Sequence, residues 1–385
     1  MLYISHIKLV NWKNFQNCDV ALPLRAFVIG ANATGKSNFL DAFRFMRDIV
    51  KQGGGLQAAV ESRGGIKKIR CLYARVHNNI RLEFTLSDLD SCKECWLYSL
   101  EFRNVGGGIR KIQASVVEEK LISLINGEAV LERNDGSDEG SAQKLYTYLE
   151  QPSAAAKFPE VRETFLSMEY LNVIPELVRS ADSYVISSGK EDYYGRNFLR
   201  RMSVLNVPTR TKYLRMISGV LKEAVPQMEE LSMVKDEMGV PHIEVRYKHW
   251  RATGARQNEQ VFSDGTLRLI GFLFALLDGN GVILLEEPEC NLHTGIVRQI
   301  PEFIARMQRG KPRQVIITTH SYEILSNNGI SSDEIVILEP GIEGTRVYIG
   351  TNNKEIVKLL DSGFSIADAV IPITEPKDIG RINRL

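Results

Sequence analysis

The stretch GANATGKS, Gly30 to Ser37, lies between the apolar run RAFVI, Arg25 to Ile29, and the segment NFLDAFRFMRDIV. In that segment Phe39, Leu40, Phe43, Met46 and Val50 recur at three- and four-residue intervals. The order predicts a short buried strand, a glycine-rich loop and an amphipathic helix starting near Lys36. The loop matches G-x-x-x-x-G-K-[ST] through Gly30, Gly35, Lys36 and Ser37. Glycines allow backbone N–H groups to turn inward around phosphates, the lysine reaches the outer phosphate oxygens, and the serine hydroxyl ligates magnesium. Asn32 and Asn38, inside and just after the loop, are grouped with these nucleotide-binding residues.

Composition leaves room for such a site without pointing to its use. The chain has 385 residues, 44% of them hydrophobic and 25% charged, as in ordinary globular proteins. Lys and Arg total 48 against 47 Asp and Glu, a formal charge of +1, so any nucleic-acid surface has to be a local patch. Five scattered cysteines form no disulfide framework, and with no apolar secretion segment the expected location is the cytoplasm. The longest uncharged apolar run, LIGFLFALL from Leu269 to Leu277, is about half of what a membrane-spanning helix needs. Cys92 and Cys95 form a C-x-x-C, but no second pair or histidine follows at zinc-site spacing, and no metal site is expected there.

Around the loop the pattern divides the chain into four parts. Residues 1–130 are expected to hold the first part of an α/β core with an antiparallel sheet. YISHIKLVNWKNF reads as an edge strand leading to CDVAL, and RLEFTL, CWLYSLEF and IQASVV alternate in the manner of antiparallel strands. Residues 131–235 read as an inserted, mainly helical lobe broken at Pro152, Pro175 and Pro208. Residues 236–350 return to the core, where GVILLEE and QVIITTH alternate with helices as a parallel sheet requires. Residues 351–385 form a C-terminal tail.

A phosphate loop binds nucleotide, and hydrolysis needs an acidic site as well. In GVILLEEPECNLH the apolar residues Val282 to Leu285 end in Glu286 and Glu287, which places both carboxylates at a strand's C-terminal edge, where ligands of open α/β sheets bind. Glu286 is expected to serve magnesium beside Ser37, and Glu287 to act as general base or water-positioning residue. QVIITTHS is a second buried strand ending in His320, whose imidazole is suited to hydrogen-bond the γ-phosphate or the attacking water.

These residues carry a resemblance. With the opening NWKNF, the phosphate loop, FSDGTLRL at Phe262 to Leu269, LLEEPECNLH and TTHS, the chain resembles ABC-type ATPases of the SMC/RecF/OLD-like group, specifically small bacterial AAA-family proteins found in anti-phage or toxin-like operons. The motif match covers about residues 1–50 and 260–325. It implies an α/β P-loop NTPase of the ABC ATPase type with an antiparallel β subdomain and an inserted helical lobe. SDGT then corresponds to the signature motif, with Ser263 and Gly265 contacting the γ-phosphate bound by another subunit, and Asn291 to His293 to the D-loop at that interface. ATP and Mg²⁺ are the implied cofactors, and a homodimer closed through the nucleotide sites is the implied assembly. Asp264 stands where many transporters have glycine, Glu286 where aspartate is more usual, and Thr294 where proline often follows. For the Q-loop, Gln57 and Gln113 both remain candidates. No coiled-coil heptads separate the two halves, against a long-armed SMC protein.

The expected function is a Mg-ATP-binding and hydrolysing ATPase whose ATP-driven dimerisation serves as sensor or motor for a partner effector, a nuclease or a toxin, in anti-phage defence or DNA processing. The alternative is an ATP-stabilised scaffold that holds an effector inactive with little turnover. Between Tyr193 and Lys222 the basic residues Arg196, Arg200, Arg201, Arg210, Lys212, Arg215 and Lys222 have no acidic residue among them, and Tyr193, Tyr194, Phe198 and Tyr213 are interleaved. Such a segment suits nucleic acid, an acidic protein partner, or simply solvent.

Overall fold

The computed structural model describes residues 1–75, 78–107, 110–134, 136, 140, 142–180, 194–195, 197–250 and 254–375. The chain opens with β1 (Leu2–Trp12), β2 (Phe15–Ala21) and β3 (Arg25–Ile29), followed by helices α1 (Lys36–Val50) and α2 (Leu56–Glu61). Then come β4 (Ile80–Asp88), β5 (Glu94–Gly107), β6 (Arg110–Ser123), β7 (Ala129–Arg133) and β8 (Glu169–Leu171). Helix α3 (Val207–Ala224) precedes β9 (Met228–Lys235), β10 (Pro241–Tyr247) and β11 (Ala255–Asn258). The last third holds α4 (Asp264–Leu277), β12 (Ile283–Glu286), α5 (Thr294–Val297), α6 (Ile300–Gly310), β13 (Val315–Thr319), β14 (Ile335–Gly341) and β15 (Gly344–Ile349). No helix among the described residues is long and apolar enough to cross a membrane.

The chain forms two compact units. The first comprises Met1–Glu169, Asn280–Leu284 and Lys311–Leu385; the second comprises Tyr170–Gly279 and Leu285–Gly310. Among the described residues, three sheets organise them. One runs β2-β1-β4-β5-β6-β7, another β15-β14-β3-β13-β12-β8, and a three-stranded sheet runs β11-β10-β9. The first is antiparallel through the pairs β1–β2, β1–β4, β4–β5, β5–β6 and β6–β7. In the second, β3 pairs in parallel with both β13 and β14, and β15 adds an antiparallel edge. The mixed α/β class and the antiparallel subdomain thus agree with the sequence reading.

The opening strand is a correction. Read as an edge, β1 instead lies between β2 and β4. Its second partner arrives from residue 80 onward, a pairing that local alternation does not encode, and both of its edges are closed by β-ladders.

Helix α1 is the hinge between sequence pattern and core. Phe39, Leu40, Phe43 and Met46 are fully buried and Val50 nearly so. Phe45, on the other side of the stripe, stacks on Phe102 at 5.5 Å, and Phe43 meets Phe84 edge-on at 5.8 Å. α1 therefore packs against the inner face of the antiparallel sheet. Each such side chain contributes about 1.5–3 kcal/mol by leaving water, which anchors the helix whose first turn carries the phosphate loop.

Candidate functional site

In the first unit β3 ends at Ile29 and α1 begins at Lys36, so Gly30–Ser37 is a strand-to-helix loop, as its motif requires. Gly35 has φ 97° and Ala33 φ 64°, both in the left-handed region that favours glycine. At Gly30 a Cβ would lie 2.4 Å from Thr34 Oγ1 and 2.7 Å from the Leu338 carbonyl oxygen, so no side chain fits. The Lys36 ammonium is turned into the loop, donating to the carbonyl oxygens of Gly30 at 2.9 Å and Ala31 at 3.3 Å. Asn32 and Ser37 are exposed on it. Gly35, the N-cap of α1, brings no capping side chain, and the first turn presents the positive end of the helix dipole.

Residues outside the motif hold this loop in place, and the sequence reading missed them. Asn14, in the turn between β1 and β2, donates through Nδ2 to the Thr34 carbonyl and to Thr345 Oγ1, both at 2.7 Å. Its Oδ1 accepts from Asn38 Nδ2 at 2.8 Å. Thr345 in β15 donates its hydroxyl to the same Thr34 carbonyl at 2.8 Å, and Trp12 donates its indole N–H to the Asn38 carbonyl at 2.9 Å. Asn38, expected among the nucleotide-binding residues, thus gives its side-chain amide to Asn14. A Cβ at Gly35 would lie 2.1 Å from Asn14 Nδ2, a second reason for glycine beyond its backbone angle. NWKNF was visible as a family motif, but a threonine 331 residues from Asn14 carries no local signal.

Below the loop, Asp41 of α1 meets Arg63 through two hydrogen bonds of 2.9 Å and Lys13 at 2.6 Å, and Arg63 also reaches Asp48 at 2.8 Å. Burial alone would raise the Asp41 pKa, but Arg63 and Lys13 outweigh it and hold the carboxyl below its ordinary value. Parallel pairing aligns Thr319 of β13 with Ile29 of β3, so the next residue, the exposed His320, stands at the same sheet edge as Gly30. Gln57 is committed elsewhere. Its side chain donates to the carbonyls of Ala114 at 2.7 Å and Leu145 at 2.8 Å and accepts from Ala114 N at 3.1 Å. That ties α2 to β6; Gln113 lies in β6 itself.

The second unit carries the other motifs. Ser263 caps α4, its hydroxyl accepting from Thr266 N at 3.2 Å. Gly265 packs under the turn after β12, where a Cβ would come 2.5 Å from the Asn291 carbonyl oxygen. Arg179 fixes the start of α4, donating to the Phe262 carbonyl at 2.7 Å and to Asp264 at 2.5 Å. Glu286 closes β12 and accepts a hydrogen bond from the Tyr170 hydroxyl. Glu287 follows with φ 42° and Asn291 with φ 63°, so both ends of this turn adopt backbone conformations unusual for non-glycine residues. Burial, then Glu289 and Glu287, push the Cys290 thiol pKa up.

The basic segment is less available than it reads. Arg196 and Tyr193 lie outside the described residues. Arg201 is paired with Asp278 at 2.5 Å and sits over the Phe274 ring, and Arg210 donates to the Ser203 carbonyl at 2.8 Å. Phe198 and Tyr213 both pack on Phe274, which turns two of the interleaved aromatics inward and away from base stacking. Arg200, Lys212, Arg215 and Lys222 are exposed.

The protein-family model described as "AAA domain, putative AbiEii toxin, Type IV TA system" matches residues 25–326. The "Uncharacterized ABC transporter ATP-binding protein YhcH" of Bacillus subtilis (strain 168) is 26% identical over 130 residues, 34% of this chain and 36% of that relative, so the match spans about a third of the relative's length. Among solved structures, an SmcHead bound to the C-winged helix domain of ScpA superposes with TM-score 0.55 at 15% identity, covering 90% of this chain and 98% of the other. The Smc head domain with an extended coiled coil bound to the C-terminal domain of ScpA, from Pyrococcus furiosus, gives 0.54 at 13% identity, covering 94% and 99%. At these identities the structures establish the fold.

Proposed function

The chain belongs to this AAA-domain family and has the SMC/RecF-like ABC-type ATPase fold, and from that premise we propose that it is a Mg-ATP hydrolase whose ATP-driven dimerisation acts on a partner effector. The observation that carries the reading is the phosphate loop, with Lys36 turned into it and no space for a side chain at Gly30 or Gly35. These groups fit a polyphosphate, since backbone N–H groups, a helix N-terminus and an ammonium are all suited to phosphate oxygens. The hydroxyl of Ser37 and the carboxylate of Glu286 are oxygen donors of the kind magnesium takes. Bound magnesium supplies charge neutralisation at the phosphates.

In this scheme Lys36 releases the Gly30 and Ala31 carbonyls to pair with phosphate, and Glu287 orients the attacking water and accepts its proton. His320 hydrogen-bonds the γ-phosphate. Ser263 and Gly265 meet the γ-phosphate held by a second copy, which makes nucleotide a dimerisation switch. The effector is read as a nuclease or toxin acting in anti-phage defence or DNA processing in the cytoplasm; the toxin named in the family description supports that choice. Nucleic acid would contact the exposed Arg200, Lys212 and Lys222. A second reading, an ATP-stabilised scaffold with little turnover, is favoured by one observation: the Tyr170 hydroxyl already donates to one carboxylate oxygen of Glu286.

ATP turnover by the full chain separates the readings. Hydrolysis is expected to fall at least ~100-fold in both Lys36→Ala and Glu287→Gln, with ATP binding lost in the first and kept in the second. Turnover unchanged in Glu287→Gln overturns the hydrolase, and tight ATP binding without turnover in the unaltered chain favours the scaffold.

A further inference from the structure

The second unit contains a cavity of about 770 Å³ between α3, α4, α5 and α6. Leu273 and Leu277 of α4, Met216 and Val220 of α3, and Phe303 and Met307 of α6 give it apolar walls. Its size lies in the range of small-molecule sites, about 300–1,000 Å³. Gly219 in α3 lines it, and a Cβ there would meet nothing within 4 Å. Glycine in a helix interior costs about 0.5–1 kcal/mol relative to alanine. Here no close contact requires it, so the helix is weakened at the point where its side chain would enter the cavity.

The polar groups on the same walls are mainly donors. Arg215 and Arg306 line the cavity, and among the described residues neither guanidinium forms an ion pair or hydrogen bond. Gln299 adds an amide. His293 accepts from Gly295 N through Nδ1 at 3.1 Å, so its neutral ring carries the proton on Nε2. One carboxylate, Glu223, is also among the lining residues, against the two guanidinium groups of Arg215 and Arg306. An apolar body with an anionic head matches this distribution: the walls take the chain, and an arginine takes the head through charge-assisted hydrogen bonds.

We propose that this cavity binds a small amphipathic anion, an apolar body carrying one carboxylate or phosphate. No residue of the phosphate loop lines it, and it is tested on the full chain without nucleotide, so its outcome is independent of the ATPase reading. Titration calorimetry with dodecanoate, and with dodecylamine as the cation of equal chain length, is the experiment. Dodecanoate is expected to bind saturably at one site and at least about tenfold more tightly than dodecylamine. Gly219→Phe should abolish binding without lowering thermal stability. Arg215→Glu together with Arg306→Glu, both at exposed positions, should weaken it about tenfold or more. No saturable binding, equal binding of the amine, or binding that survives Gly219→Phe overturns the proposal.

Discussion

Two helix N-termini carry the two glycine motifs of this chain, and they are built in opposite ways. α1 starts at a glycine with no capping side chain, and its loop is held from outside by Asn14, Thr345 and Trp12. α4 starts at Ser263, which caps the helix with its own hydroxyl, and Gly265 serves to admit the Asn291 carbonyl. The first is a loop that leaves its helix start uncapped and whose shape is set by distant chain segments. The second is already partly satisfied and is arranged for close packing, which in the proposed dimer suits a contact with a ligand held by the other copy.

The comparison breaks most sharply at Gly35. Gly35→Ala places a Cβ 2.1 Å from Asn14 Nδ2 at φ 97°, so the loop or the Asn14 clamp has to move. ATP affinity by calorimetry is expected to fall roughly 100-fold or more, from left-handed strain and the clash together. Binding near the unaltered value would show that the loop does not need its glycine. Asn14→Ala tests the external hold more gently. It removes three side-chain hydrogen bonds at about 0.5–1.5 kcal/mol each, and ATP affinity should fall about tenfold while helix content by circular dichroism is kept. If Asn14→Ala left affinity unchanged, the loop would hold itself as α4 does. Ser263→Ala is the smallest step: losing the cap costs about 1 kcal/mol, and it should weaken ATP-dependent self-association several-fold while nucleotide affinity of the single chain stays put. A drop in that affinity would erase the distinction between the two termini.

What the sequence disclosed follows the same division. The phosphate loop, α1 and its buried stripe, and the strands before Glu286 and His320 were all readable, because each is a local pattern of glycine, period or apolar run. Asn14 and Thr345 were not, because the loop's support is assembled from residues more than 300 positions apart. The interior place of β1 was hidden for the same reason, its second neighbour being β4. The basic segment misled in part: Phe198 and Tyr213 have the composition of a stacking surface but pack on Phe274, and only their contacts distinguish the two. The 770 Å³ cavity likewise has no linear signature, since its walls come from four helices spread over about a hundred residues.

The central claim is that nucleotide joins two copies of this chain. The most direct measurement is the solution mass of Glu287→Gln, with and without Mg-ATP, by light scattering. The account predicts one mass without nucleotide and twice that mass with it, reversed when Lys36→Ala is added. A mass that ignores ATP, in a chain shown to bind it, would contradict the account.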